Sequence, residues 1–255
     1  MPGDKRGRQK MIPAMREYRA SQTYGTQVNP ATNQTTFHTG IDLVKPSYAD
    51  IAAFAQGVVV FASYGQTGTG VGGYGNTVIL RDRHDYLHMY AHLTDYRVKV
   101  GDQVLAGSVV GREGMTGQAT GQHLHYEVRR DGPSFGYGLH TDPVLYMDQY
   151  FTTELKDPAH ACGISYDGML LPFIGGIVEG KSFLPVRALA EAVGKGAQVE
   201  WNNVIRLAGI NGTELLSTFL LDAKAYAWSR ELARALGLDI RWDDAAKVVQ
   251  LTMAP

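Results

Sequence analysis

Over residues 22–147 the chain is cut by glycine into short β-branched runs, and no segment there carries a helical period of convincing length. Val58-Val59-Val60-Phe61 follows Gly57, Asn76-Thr77-Val78-Ile79-Leu80 follows a glycine-rich stretch at 65–75, and 98–110 is broken by Gly101 and Gly107. Residues 85–93 and 123–130 alternate with period two. Runs of this length bounded by turn residues fit antiparallel strands. The expectation is a mainly β, antiparallel-sheet domain over 21–155.

After Lys156-Asp157-Pro158 the pattern changes. Leu184-Pro185-Val186-Arg187-Ala188-Leu189-Ala190-Glu191-Ala192-Val193-Gly194 has proline at its entry and glycine at its exit, the punctuation of a helix, and leads to Val199-Glu200-Trp201-Asn202. Arg230-Glu231-Leu232-Ala233-Arg234-Ala235-Leu236-Gly237 leads in the same way to Ile240-Arg241-Trp242-Asp243. Aligning Arg187 with Arg230 and Phe183 with Tyr226 gives an internal repeat of helix, glycine stop and tryptophan-bearing strand. The expected layout is a basic N-terminal arm at 1–20, the β domain at 21–155, a linker at 156–162 and a small α+β domain of two repeats at 163–255. Its tryptophans are expected as core anchors, with ligand platforms as the alternative.

Composition excludes several classes. A net charge of -1 over 255 residues lacks the basicity of a nucleic-acid binder. The local basic run Lys5, Arg6, Arg8, Lys10, Arg16 and Arg19 reads as a loosely attached arm or a contact for an anionic surface. The single Cys162 excludes an internal disulfide and a thiolate-rich zinc site, and leaves a buried small hydrophobe or an exposed thiol. No apolar run approaches the ~18 residues of a membrane span. The charged start leads into no apolar core of a secretory signal, so the expectation is either that a signal was removed or that the protein leaves the cell by another route.

Candidate chemistry sits in three fragments. His38 and Asp42 are four residues apart, and Gly40 between them lets the chain bend so that both reach one point. His123, His125 and Glu127 fall on one side of an alternating strand, with Leu124, Tyr126 and Val128 expected as its buried face. His92 belongs to a second alternating strand, sharing a side with Tyr86, His88 and Tyr90; if the two strands face each other across a groove, His92 approaches His123. His88 lies ~13 Å back along that strand and is a poor partner for the same site. A catalytic metal with an open position takes three ligands from such residue types, so the set points to a metal-dependent hydrolase. The plain alternative for each is a hydrogen-bonded structural imidazole. His84, His140 and His160 are expected to face solvent.

The segments His38-Thr39-Gly40-Ile41-Asp42, Tyr74-Gly75-Asn76-Thr77-Val78, Tyr90-Ala91-His92-Leu93, Val100-Gly101-Asp102-Gln103-Val104 and Gly114 through His123-Leu124-His125-Tyr126-Glu127-Val128-Arg129, closed by Asp142-Pro143, resemble the lysostaphin-type (LytM-like) zinc endopeptidase family over about 24–146. The resemblance implies a β-sheet groove and cleavage of peptide cross-links or stem peptides of bacterial peptidoglycan. It implies that His38, Asp42 and His125 bind Zn2+, and that the catalytic His92 and His123 flank the metal-bound water. His123 is assigned as general base, with His92 as its partner or as a hydrogen-bond donor in the transition state. The loop at 65–75 is either a groove wall or a surface turn. Gln122 and Val44 depart from the family's usual proline and small residue, which touches loop shape and removes no ligand. Action at the cell wall or outside the cell follows, a phage-encoded bacteriolytic endolysin being one form of it. The competing reading is a non-catalytic wall-binding protein or activator of another hydrolase that keeps zinc for structure, and a third is a zinc peptidase with a non-wall substrate. Lys181-Ser182-Phe183-Leu184-Pro185-Val186-Arg187 and Trp201-Asn202 resemble the copper amine oxidase N-terminal-like (stalk) module, with no metal implied because His160 is the last histidine. A cell-wall polymer is the expected partner of that module, against a spacer or dimerisation role.

Overall fold

A computed structural model describes residues 15–28, 33–194, 196–203 and 207–254. The chain forms two compact units, one spanning 17–146 and the other running from 147 onward with Met15 and Arg16.

In the first unit an antiparallel sheet runs in the order Arg19–Gln22, Ile41–Val44, Leu124–Arg130, Tyr86–Leu93, Asn76–Arg81, Gly57–Tyr64, Gln103–Val104, with His140–Thr141 on Leu124–Arg130. Asp50–Ala52, Val109–Arg112 and Asp95–Tyr96 form a three-stranded sheet, and Gly25–Val28 pairs Thr35–His38. Every pairing in these sheets is antiparallel, as the glycine-cut pattern requires.

Cross-strand partners share a face, and the register therefore sorts the side chains. Tyr126 lies opposite Tyr90 and Ile41, and Leu124 opposite Leu43. That face is buried with Phe54, whose ring meets Tyr126 edge-on at 4.7 Å. The opposite face carries Asp42, His125 and Ala91, then Glu127 beside Met89 and Arg129 beside Leu87. It is buried as well: Leu87, Met89 and Ile79 cluster with Val71, and Glu127 and Arg129 are 0% and 1% exposed. The expectation of Leu124, Tyr126 and Val128 as the buried face of 123–130, opposite a polar row, is corrected here, because the cluster of Val71, Ile79, Leu87 and Met89 lies on the other face and that face is buried as well.

Two boundary expectations also change. Met15 and Tyr18 are buried and Arg19–Gln22 is a strand, so residues 15–20 are not an arm; residues 1–14 lie outside the described residues. Residues 143–156 form the helix Pro143–Lys156, started by Asp142, whose carboxylate accepts the amides of Val144 and Leu145 at 2.8 and 3.3 Å. The Asp-Pro pair is an N-cap followed by N1 proline, a start signal that a search for helical period alone passes over. The expected linker at 156–162 holds the last residue of this helix, the short turn Pro158–His160 and the start of the strand Ala161–Tyr166.

In the second unit the sheet order is Phe219–Leu221, Lys224–Trp228, Lys181–Pro185, Gly175–Val178, Ala161–Tyr166, Val248–Met253, Leu238–Asp243; the pairing of Ala161–Tyr166 with Val248–Met253 is parallel. Lys181–Pro185 leads into the helix Val186–Val193, a left-handed Gly194 and the hairpin Val199–Asn202 with Leu207–Ile210. Lys224–Trp228 leads into Ser229–Leu236, a left-handed Gly237 and the hairpin Leu238–Asp243 with Val248–Met253. Leu184, Leu189, Ile210, Leu232 and Leu251 are in the shared core, and Trp201 packs against it. Trp242 is 42% exposed, so its reading as a core anchor is corrected. Cys162 is buried, which pushes its thiol up to about 11 and leaves it a small hydrophobe. No helix among the described residues is long and apolar enough to cross a membrane.

Candidate metal centre

Asp42 and His125 are direct partners across Ile41–Val44 and Leu124–Arg130, so their side chains leave the sheet from one point. His38, at the end of Thr35–His38, is brought over them by the turn through Thr39 and Gly40. A Cβ on Gly40 would lie 2.5 Å from the Tyr126 carbonyl and 2.8 Å from the His125 ring, so only glycine lets that turn pass. The result is a near-equilateral triangle: His38 Nε2 to Asp42 Oδ1 3.1 Å, His38 Nε2 to His125 Nδ1 3.1 Å, and His125 Nδ1 to Asp42 Oδ1 2.9 Å. A tetrahedral shell with bonds of ~2.0–2.1 Å has edges of ~3.3 Å, only a few tenths longer. Two imidazole nitrogens and one carboxylate oxygen at this spacing fit a divalent cation.

The imidazoles are held from behind, as ligating histidines commonly are. His38 Nδ1–H donates to the Thr23 carbonyl at 2.9 Å, which turns the Nε2 lone pair inward. His125 Nε2 faces Glu127 Oε2 at 3.3 Å, which leaves Nδ1 for the centre. Glu127 in turn accepts from Thr39 Oγ1 at 3.0 Å, Tyr74 OH at 2.9 Å and Arg129 Nε at 2.6 Å. Arg129 also donates to the carbonyl of Gly70 at 2.8 Å, tying the glycine-rich loop to this network.

The electrostatics point the same way. Burial raises the Asp42 carboxyl, but hydrogen bonds with His125 and His38 outweigh it and hold it far below the usual carboxylate range. Burial lowers His125, but its bonds to Asp42 and Glu127 outweigh that and raise it to about 9. The cluster draws positive charge into its centre.

His123 and His92 sit beside the triangle with their rings 4.9 Å apart. His123 Nδ1–H donates to the Gly121 carbonyl at 2.8 Å, and its Nε2 stands 3.5 Å from Asp42 Oδ1. Gln122 Nε2 donates to the buried Glu113 at 3.2 Å, fixing the chain just before His123. His92 Nδ1–H donates to the Thr116 carbonyl at 2.8 Å, so its Nε2 is a bare acceptor. Burial first, then the neighbouring His125 charge, pull His92 down to about 4.

How His92 arrives differs from expectation. Its strand is the hydrogen-bonded neighbour of Leu124–Arg130 and does not face it across a groove. Strict alternation would place His92 with Tyr90 and His88, on the face away from His125. A left-handed backbone at His92, φ +59°, breaks the alternation and swings the ring to 5.8 Å from that of His125. Tyr74 supports it, accepting the His92 amide at 2.8 Å and stacking on the ring at 6.4 Å. Gly75 makes room for this: at φ +65°, a Cβ there would lie 2.3 Å from Thr116 Oγ1.

The remaining histidines are elsewhere. His88 is fully buried between Tyr126 OH at 2.7 Å and Asp82 Oδ2 at 3.1 Å. His84 is exposed. His140 and His160 are only half-exposed, His140 bonding Tyr24 OH at 2.9 Å and His160 pairing with Glu154 at 3.2 Å, which corrects the solvent-facing expectation for both. Glu127, Arg129, Tyr74 and the carbonyls of Thr23 and Thr116 were not assigned from sequence beyond Glu127's place in the row; the period-two continuation His125, Glu127, Arg129 was the available signal.

Residues 36–136 match the model of peptidase family M23. Over this stretch the chain is similar to M23 peptidases. The stretch holds every residue of the site described above except Thr23, and members of the family are metal-dependent. Among relatives, the DD-carboxypeptidase/endopeptidase Mpg of Neisseria meningitidis serogroup B is 38% identical over 114 residues, 45% of this chain and 25% of the relative. The peptidoglycan DD-endopeptidase ShyC of Vibrio cholerae is 39% identical over 106 residues, 42% of this chain and 23% of the relative. The chain thus spans about a quarter of the length of these relatives. Among solved structures, the catalytic domain of lysostaphin from Staphylococcus simulans aligns with 55% of this chain and 98% of its own, at 27% identity and a TM-score of 0.46.

Proposed function

We propose that this protein is a zinc-dependent endopeptidase that hydrolyses peptide bonds of bacterial peptidoglycan, acting at the cell wall or outside the cell. The observation that carries the reading is the His38, Asp42, His125 triangle with two further imidazoles beside it, His123 and His92, each held by a bond from Nδ1 to a backbone carbonyl. The names of the M23 relatives, a DD-endopeptidase and a DD-carboxypeptidase/endopeptidase, supply the substrate class.

His38 Nε2, Asp42 Oδ1 and His125 Nδ1 would hold the zinc ion. When bound, zinc supplies an acidified water and a polarised scissile carbonyl. The Thr23 carbonyl and Glu127 keep the two imidazoles in the tautomers that ligation needs. His123 takes the proton of the attacking water on Nε2 and returns it to the leaving amine. His92 acts first as an acceptor: with its proton on Nδ1 and its titration near 4, it orients that water and does not donate to the carbonyl oxygen at neutral pH. The loop at 65–75, anchored through Tyr74 and Arg129, forms a wall along which an extended peptide lies. The unit from 147 onward contacts a polymer of the wall.

The test is turbidity loss of purified cell walls, with mass spectrometry of the released fragments, for wild type and His123→Ala. Wild type should release fragments with new peptide termini, and the variant should be slower by about 100-fold or more. Equal rates, or fragments cut in the glycan, would contradict the assignment. Zinc retained with no cleavage by wild type would favour the activator reading.

A further inference from the structure

A second site lies outside the M23-like stretch, in a groove of about 710 Å³ in the unit from 147 onward. It is lined by two tryptophans, Trp228 and Trp242, and by four cations, Lys181, Arg230, Arg241 and Lys247, against the single carboxylate of Asp244. Asp244 is already engaged: Lys247 Nζ donates to it at 2.8 Å and Trp242 Nε1 at 3.3 Å. Lys181, Arg230 and Arg241 make no ion pair among the described residues, so the groove carries uncompensated positive charge. Its rings are oriented by cations, with Lys181 Nζ 5.6 Å from the centre of Trp228 and Lys247 Nζ 5.9 Å from that of Trp242. Trp242 is 42% exposed although it is among the largest apolar side chains. Burying both aromatic faces in the core would have been favourable, so their position in an open groove calls for a partner.

We propose that this groove binds an anionic glycan, with sugar rings stacked on Trp228 and Trp242 and phosphate or carboxylate groups held by Lys181, Arg230 and Arg241. Flat aromatic faces suit the apolar side of a pyranose ring, and guanidinium groups suit bidentate oxyanions. A neutral glycan leaves the cations unused, and a ringless polyanion leaves the tryptophans unused. The proposal deepens the reading of this unit as a wall contact and rests on it only for the choice of a polymer as ligand.

The experiment uses the full chain, with calorimetry and tryptophan fluorescence as readouts. The probes are poly(glycerol phosphate) bearing N-acetylglucosamine, a hyaluronan oligosaccharide, neutral chitohexaose and inorganic polyphosphate. At least one charged glycan should bind about tenfold or more tightly than chitohexaose and polyphosphate; which one identifies phosphate or carboxylate as the anion. Trp242→Ala and, separately, Arg241→Glu should each weaken that binding about tenfold or more. Both residues are exposed, so thermal unfolding and hydrolysis of a soluble wall peptide should stay as in wild type. The proposal is overturned if chitohexaose or polyphosphate binds as tightly as the charged glycans, if no glycan binds, or if both variants bind like wild type. Glycan binding by a chain that cleaves no wall peptide would sink the peptidase reading and leave this one standing.

Discussion

In the proposed mechanism each of the five site residues has a separable job, and separate measurements reach them. Asp42→Asn removes the one anionic corner of the triangle, so the purified variant should carry less than about a tenth of the metal of wild type by elemental analysis, with activity lost in proportion; full metal content would contradict the ligand assignment. His123→Ala leaves the triangle intact and should keep its metal while losing about 100-fold in turnover. His92 is pulled down to about 4, chiefly by burial, so it is already neutral well below neutral pH. His92→Asn should therefore lower the rate at every pH without moving the acid limb of the rate profile. A shifted acid limb would mean that His92 titrates in the working range.

At the scale of elements, the site depends on two turns that depart from strand geometry. Gly40→Ala would drive a methyl into the Tyr126 carbonyl and the His125 ring, so metal content and activity should fall together while the β circular-dichroism signal persists. On the core face, Tyr126→Phe would leave His88 Nδ1 without its partner, costing about 1–3 kcal/mol in urea unfolding. The strands were legible because alternation and glycine breaks mark them directly, whereas the grouping of Asp42 with His125 came from the resemblance of their motifs and their cross-strand register from the structure. The approach of His92 was not legible, since a single left-handed residue at the end of a strand reverses its side without altering the alternating pattern. Glu127 was read in a polar row opposite the buried face for a related reason: alternation says which residues share a face, and only the packing says what covers it. The helix Pro143–Lys156 was missed where its capping pair, Asp142-Pro143, was the clearer sign. The exposure of Trp242 was likewise hidden, because a tryptophan on a strand reads the same whether its neighbour is core or open groove.

For the whole molecule, stability should carry an acid signature to which a buried pair away from the candidate metal centre contributes. Burial raises the Asp82 carboxyl, but bonds from His88 and Tyr146 outweigh it and hold it at about 2, against ~3.9 in an unfolded chain. A depressed folded value means stability that is present above the unfolded value and is lost as pH falls from about 4 through 2, here of order 2 kcal/mol. Urea midpoints of wild type should drop across that window, and Asp82→Asn should flatten the drop; a midpoint unchanged from pH 5 to 2 would contradict it. The central claim is that three side chains gathered from 38, 42 and 125 hold an ion on which peptide cleavage depends. The most direct measurement is to strip the protein with a chelator and titrate zinc back while following muropeptide cleavage by mass spectrometry. Cleavage should vanish on stripping and return in full at one equivalent of zinc per chain, with Asp42→Asn showing no return. Undiminished cleavage by the stripped protein, or an equal return in Asp42→Asn, would contradict it.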